Sequence, residues 1–227
     1  MIVGEQVAPV GHGIPNSGAR PARSGSEITD TLRLRDPCQK IICFAAGTLI
    51  RTPSGERRIE KLRPGDEIVT LDRGPQVLRW IGRDTVRASG QLAPILFSKG
   101  VVGNYHDLRV SPWHKMIWKG AAARKHFGQS EVLATARSLV DDCRVTVEFG
   151  GMVTYVHLMF DRHEVVIANG APSESFHPGG DRLNTLPAST REDLFRLFPK
   201  LRSDVGSYGP AIRACVEGSA ARALLTA

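Results

Sequence analysis

The feature that most limits the fold is how often turn residues cut the apolar runs between Thr48 and Phe97. Thr48-Leu49-Ile50-Arg51-Thr52 ends at Pro53-Ser54-Gly55-Glu56, Arg58-Ile59 is followed by Pro64-Gly65, and Ile68-Val69-Thr70-Leu71 ends at Asp72-Arg73-Gly74-Pro75. Val77–Gly82, Asp84–Arg87 and Pro94–Phe97 follow at the same close spacing. Gly supplies positive φ and Pro a preset φ, so such clusters reverse the chain. Runs this short, without a long helical period, form strands. The expectation is an all-β domain of hairpins and long, bent ribbons.

The second half repeats the pattern. Glu131–Leu133 reads as a strand and Thr135–Val140 as a short helical turn. Val145–Phe149 and Val153–Phe160 read as a hairpin about Gly150-Gly151, and Val165–Ala168 as a strand that stops at Asn169-Gly170. Ile59–Val69 can be laid against Ala136–Val145 as a weak internal repeat, each a one-turn helix or tight turn ending in an acidic residue before a strand. After Pro178-Gly179-Gly180 the character changes. Ser189-Thr190-Arg191-Glu192 has the form of a capping box opening Asp193–Phe198, and Pro210 takes a first-turn position opening Ala211–Leu225. At the other end, residues 1–31 are rich in Gly, Pro, Ser and Arg with no periodic apolar face, which predicts a flexible leader. Ile41-Ile42 leads straight into Cys43, so the leader is expected to enter the domain extended.

With 227 residues and 41% hydrophobic content, the chain can bury one substantial core with appendages. No run reaches the roughly 18 apolar residues of a bilayer span. Met1-Ile2-Val3-Gly4-Glu5-Gln6 lacks the basic and apolar regions of a cleaved secretory signal. Synthesis in the cytoplasm is expected, with export open to a signal-independent route, and no membrane partner. The net charge of +7 invites a nucleic-acid reading, but the arginines are spread along the chain and aromatics make up 6%, so no nucleic-acid partner is expected. The four cysteines, at positions 38, 43, 143 and 215, have no Cys-x-x-Cys spacing. Neither a disulfide framework nor a metal site is indicated, and no cofactor is expected. A Cys38–Cys43 bond would silence Cys43 and act as a redox lock.

Cys43-Phe44-Ala45-Ala46-Gly47-Thr48-Leu49-Ile50 reads as a nucleophilic cysteine opening a strand. Its company is Leu62-Arg63-Pro64-Gly65-Asp66-Glu67-Ile68, then Ser111-Pro112-Trp113-His114, then Phe160-Asp161-Arg162-His163 running through Val165-Val166-Ile167-Ala168 to Asn169-Gly170. Asp161 and His163 lie two apart, hence on one face of an extended strand, where a carboxylate can orient an imidazole.

Together and in this order, these motifs resemble the Hint (hedgehog/intein) superfamily in its bacterial form, from Cys43 to about Gly179. The resemblance implies a mainly β, pseudo-two-fold, horseshoe-like fold with its active site where the halves meet, followed here by a short helical C-terminal extension. The implied organisation is a leader over 1–42, the Hint domain over 43–179 and the extension over 180–227. The implied activity is single-turnover autocatalytic cleavage. Cys43 attacks the carbonyl of Ile42, the acyl group moves from nitrogen to sulfur, and water or another small nucleophile opens the thioester. The substrate is then the chain's own N-terminal segment. His114 resembles the family's histidine that bonds the scissile amide nitrogen and serves as general acid. Ser111 stands where the family typically has Thr, and keeps a hydroxyl to orient the bond or its oxyanion. His163 resembles the histidine of the distal block, and His157 or Asp161 falls near the position of an intein Asp. The second-step residue is one of His157, Asp161 and His163. Asn169 reads as structural, and His12, His106, His126 and His177 as background.

Splicing inteins end in His-Asn before Cys, Ser or Thr. The corresponding stretch here, Ala171-Pro172-Ser173-Glu174-Ser175-Phe176-His177, has no such ending, so cleavage without splicing is the activity expected. No sterol acceptor is indicated. The alternative is a catalytically inactive Hint fold acting as a binding or secretion module. An intermolecular cysteine protease is disfavoured because Cys43 opens a strand rather than a helix, whose N-terminus is a common thiolate activator.

Overall fold

The structure, a computed structural model, describes residues 41–226, so the expected leader and the Cys38–Cys43 pairing lie outside the described residues. Strands dominate. The first half carries β1 (Phe44–Ala45), β2 (Leu49–Thr52), β3 (Gly55–Arg58), β4 (Glu67–Thr70), β5 (Gly74–Val77), β6 (Trp80–Arg87) and β7 (Ile95–Phe97). Next come β8 (Leu108–Val110), β9 (Lys115–Lys119), β10 (Glu131–Thr135), β11 (Val145–Val147), β12 (Met152–Met159), β13 (Val165–Ala168), β14 (Ala171–Glu174) and β15 (Cys215–Val216). The helices are short: α1 (Ala121–Phe127), α2 (Ala188–Leu197) and α3 (Gly218–Arg222), with single 3-10 turns between strands.

Two sheets form. One has the order β11-β7-β8-β1-β12-β6, and the other β15-β10-β9-β14-β13-β2-β3, with β4 joined to β13 and β5 to β4. The longest ribbon is β6 with β12, paired from Trp80↔Met159 to Arg87↔Met152. The core is continuous through both sheets and includes Phe44, Ile50, Ile68, Phe97, Val110 and Val156. The internal repeat has a structural counterpart. Ile59–Lys61 and Ala136–Leu139 are both 3-10 turns, and each buries an apolar pair three residues apart, Ile59 with Leu62 and Ala136 with Leu139.

Turn chemistry fixes the hairpin β13–β14. Asn169 and Gly170 both have positive φ, 47° and 89°, as a two-residue turn matched to strand twist requires. A Cβ on Gly170 would also meet the Tyr105 ring at 2.5 Å. The Asn169 side chain accepts the Leu49 N–H at 2.7 Å and donates to the Asp107 carbonyl at 2.8 Å, which ties the turn to β2 and to the approach of β8.

Three expectations differ from the structure. Gly150-Gly151 does reverse the chain, but β11 pairs with β7 and β12 with β6 and β1, so no hairpin forms there. The capping box does not cap. Helix α2 starts at Ala188 after Pro187, whose φ of -51° is preset, and Ser189 falls inside the first turn. Beyond Pro210 the chain is not a continuous helix, because its backbone is bonded outward. Ala214 O accepts the Leu133 N–H at 2.8 Å, and β15 joins β10 in parallel. The C-terminal segment is therefore partly a strand of the second sheet.

Candidate functional site

The register of the first sheet assembles one corner of the site. Phe44 pairs with Val156 on β12 and with Val110 on β8. One step back in an antiparallel register, Cys43 faces His157 and Ser111. The Cys43 sulfur lies 3.2 Å from Nε2 and 3.4 Å from Nδ1 of His157. The Cys43 N–H donates to Ser111 Oγ at 2.8 Å, Ser111 Oγ donates to the Ile41 carbonyl at 2.7 Å, and the Ser111 N–H donates to the Cys43 carbonyl at 2.9 Å. Ser111 therefore clasps the backbone on both sides of the Ile42–Cys43 peptide bond. Cys43 is 1% exposed, and the His157 ring is boxed by Trp80 and Phe176 at centroid distances of 5.9 and 5.1 Å.

His114 occupies a different place from the one its motif implied. Its ring packs edge-on against Phe44 at 4.4 Å, and among the described residues neither ring nitrogen has a hydrogen-bond partner. The amide N–H of Cys43 goes to Ser111 instead, because the turn Ser111–His114, closed by the His114 N–H to Ser111 O bond, puts the hydroxyl on the nitrogen and the imidazole under β1. Burial pushes the His114 pKa down from 6.5 to about 4, Glu174 opposing and Lys115 adding to the shift.

The second sheet assembles another corner by the same rule. Ser173 pairs with Met116, so Glu174 faces Lys115, and Val165 pairs with Glu174. Glu174 accepts the Lys115 N–H at 2.8 Å, and its carboxylate lies 3.8 Å from Lys115 Nζ and 3.5 Å from His163 Nε2. Burial alone would raise the Glu174 pKa. The charge of Lys115 and the nearness of the His163 imidazole outweigh it and bring the value to about 2. The Nδ1 of His163 accepts the Ile212 N–H at 3.1 Å, which leaves the proton on Nε2, 3.1 Å from the Ser175 carbonyl.

Asp161 belongs to neither corner. Residues 161 and 162 form a bend outside the strands, and Asp161 is in solvent, paired with Arg79 at 2.9 Å. The expected Asp161–His163 pairing is thus replaced by Glu174 and Ser175 around a buried His163. Two cavities of about 320 and 250 Å³ share Asp161, Leu197 and Phe198 as lining and include none of Cys43, Ser111 or His157. Among the described residues no cluster of three or more His, Cys, Asp or Glu side chains is placed to hold a metal ion.

Sequence reasoning missed Lys115, Glu174 and His177. Lys115 heads the apolar run Met116-Ile117-Trp118, and a charge opening such a strand signals a buried partner. His177 is not background. Its ring lies 4.9 Å from that of His163, its Nε2 is 2.9 Å from Gly209 O, and burial, with His163 next in weight, lowers its pKa to about 4.

The chain is thus a β domain whose first strand is opened by a cysteine, with a hydroxyl on that residue's amide and an imidazole on its sulfur. The family model of the Hint domain matches residues 42–180, and the chain belongs to that family. Among solved structures, the bacterial intein-like domain from Clostridium thermocellum is similar at 14% identity and a TM-score of 0.44, over 60% of this chain and 99% of that one. A DnaB intein from Synechocystis sp. PCC 6803 is similar at 14% identity and a TM-score of 0.36, over 59% and 98% respectively. No curated protein matches the chain.

Proposed function

We propose that the domain cleaves its own chain at the Ile42–Cys43 bond by an N-to-S acyl shift and does not splice. The observation that carries this reading is the Cys43 sulfur at 3.2 Å from His157 while the amide N–H of the same residue is held by Ser111 at 2.8 Å. His157 accepts the thiol proton and the sulfur forms a bond to the Ile42 carbonyl carbon. The bond from that carbon to the Cys43 nitrogen breaks, and the proton lost by sulfur ends on the released amine. Ser111 Oγ, already on that nitrogen, is the group placed to pass it. The reacting atoms belong to adjacent residues, so proximity supplies on the order of 7 kcal/mol of the barrier. A neutral His114 acts by packing Phe44 and holding Ser111 through the backbone. Water or a thiol then opens the thioester and frees residues 1–42, leaving the Hint domain of 43–179 and its extension of 180–227.

Splicing is left out because β14 runs on past Glu174 into bonded backbone. The Ser175 N–H donates to Glu164 O at 2.8 Å and the Phe176 N–H to Leu158 O at 2.7 Å, and neither residue is an Asn able to cyclise. One observation favours a second reading, a non-catalytic binding module: Ile42 and Cys43 are 2% and 1% exposed, so an outside nucleophile reaches the thioester only when the cover moves.

Intact-mass spectrometry of the wild type beside Cys43→Ala, with and without DTT, separates the two. Loss of residues 1–42, accelerated by thiol and absent in the variant, is the expected result. If both chains stay whole under reducing conditions, the cleavage reading fails and the module reading replaces it.

A further inference from the structure

Ile41 and Ile42 leave the scissile region toward different parts of the molecule, as successive side chains of an extended chain do. Ile41 joins Cys43, Val86 and Tyr155, all residues of the β domain. Ile42 joins Trp80 and Phe176 together with Leu183, Leu186 and Leu194 from the C-terminal segment. The matched family region ends at residue 180, so these three leucines lie beyond it. They are also firmly placed. The Tyr208 hydroxyl, in the same cluster, donates to Phe160 O at 2.9 Å, and Gly209 O lies 2.9 Å from His177 Nε2, so the segment that carries them is pinned where it ends.

We infer that Leu183, Leu186 and Leu194, with Trp80 and Phe176, form a pocket for the side chain at position 42. The pocket selects a bulky aliphatic residue on the acyl side of the bond and holds its carbonyl against Cys43. This rests on the self-cleavage reading. The selection follows from the chemistry of the walls, which are aliphatic and aromatic. A shortened side chain leaves a void there, and a charged one loses its water without gaining a partner. Because the residue keeps its side chain in the pocket while its carbonyl passes from nitrogen to sulfur, the same contacts position both the amide and the thioester.

The test measures the first-order rate of DTT-dependent cleavage in the full chain by intact mass, with thermal melting as a check of folding. Ile42→Val is expected about 10-fold slower than the wild type, Ile42→Ala about 100-fold slower, and Ile42→Asp slower still. In a Leu194→Ala background the ratio of the Ile42 rate to the Ile42→Ala rate shrinks, whereas a merely structural segment slows both chains alike and leaves the ratio unchanged. Cleavage of Ile42→Ala and Ile42→Asp at the wild-type rate, or an unchanged ratio, overturns the pocket while leaving self-cleavage standing. A second arm does not depend on cleavage. In a Cys43→Ala chain, Ile42→Cys is labelled with a maleimide and the sites are read by peptide mapping. The pocket predicts labelling at position 42 far slower than at Cys143, which is exposed, and faster once Leu194→Ala is added. Equal rates at the two positions overturn the pocket even if the wild type never cleaves.

Discussion

At one corner of the molecule β1 pairs with β8 and β12, and the register sets Cys43 opposite Ser111 and His157. At the other, β14 pairs with β9 and β13, and the register sets Glu174 opposite Lys115 and brings it to His163. Both corners are buried, and both bring polar side chains together by strand pairing. They differ in what the opposed groups can do. The first holds a thiol beside an imidazole, on a peptide bond clasped by a hydroxyl, the groups that the proposed cleavage uses. The second holds a carboxylate neutralised by a lysine and a histidine whose nitrogens face backbone groups, so it stiffens the fold around the C-terminal segment. On the proposed reading, the same device gives one corner that reacts and one that stays closed, and cleavage at Cys43 without release beyond Glu174 is the outcome expected of it.

The comparison can be broken at either corner. His157→Gln, which keeps much of the buried volume between Trp80 and Phe176, is expected to slow thiol-dependent cleavage by about 1,000-fold, read by intact mass, with a comparatively small change in melting temperature. Glu174→Gln is expected to do the reverse. It leaves the buried Lys115 ammonium with the half-exposed Glu217 carboxylate, 3.9 Å away, as its remaining acidic partner among the described residues, which costs up to about 3 kcal/mol of stability in denaturant titration, while cleavage in the folded fraction keeps its rate.

A smaller effect comes from pH. The folded-state pKa of His114 is about 4 against an ordinary 6.5, so between these values the unfolded chain binds a proton that the folded one does not. The stability from a neutral His114 is complete above about pH 6.5 and is lost as pH falls toward 4. His177 acts in the same direction. The contribution of Glu174, complete above its ordinary 4.5, is lost as pH falls from there toward 2 and so does not shape this window. Melting temperature is therefore expected to fall between pH 7 and pH 5, and His114→Gln to flatten that slope. The smallest effect belongs to Asp161→Asn, which removes an exposed ion pair with Arg79. It should leave the melting temperature unchanged within error and cleavage within about 2-fold, and a larger loss of rate would return Asp161 to the reacting corner.

What was legible in the sequence was local. Pro64-Gly65 and Asn169-Gly170 announce their turns because the backbone there needs their conformations, and the strands between them follow from composition. Cys43, Ser111 and His157 were all readable as candidates. Their assembly was not, because it depends on pairing between strands some 70 to 110 residues apart along the chain. The same distance hid the partnership of Glu174 with Lys115 and turned an expected β11–β12 hairpin into two separate pairings. Asp161 misled because a spacing of two implies a shared face only while the backbone is a strand, and here it bends. The tail misled because Pro210 opens a helix only when the following N–H and C=O groups are free to pair locally, and those of Ile212 and Ala214 are taken by His163 and β10.

The difference between the corners is tested most directly by mass analysis of every fragment from a single thiol-treated sample of the wild type. Two products are predicted: residues 1–42, as the thiol ester or free acid, and an unbroken chain from Cys43 to Ala227. A fragment ending at Glu174, Ser175 or Phe176 would show that the second corner also breaks the chain, and would contradict the account.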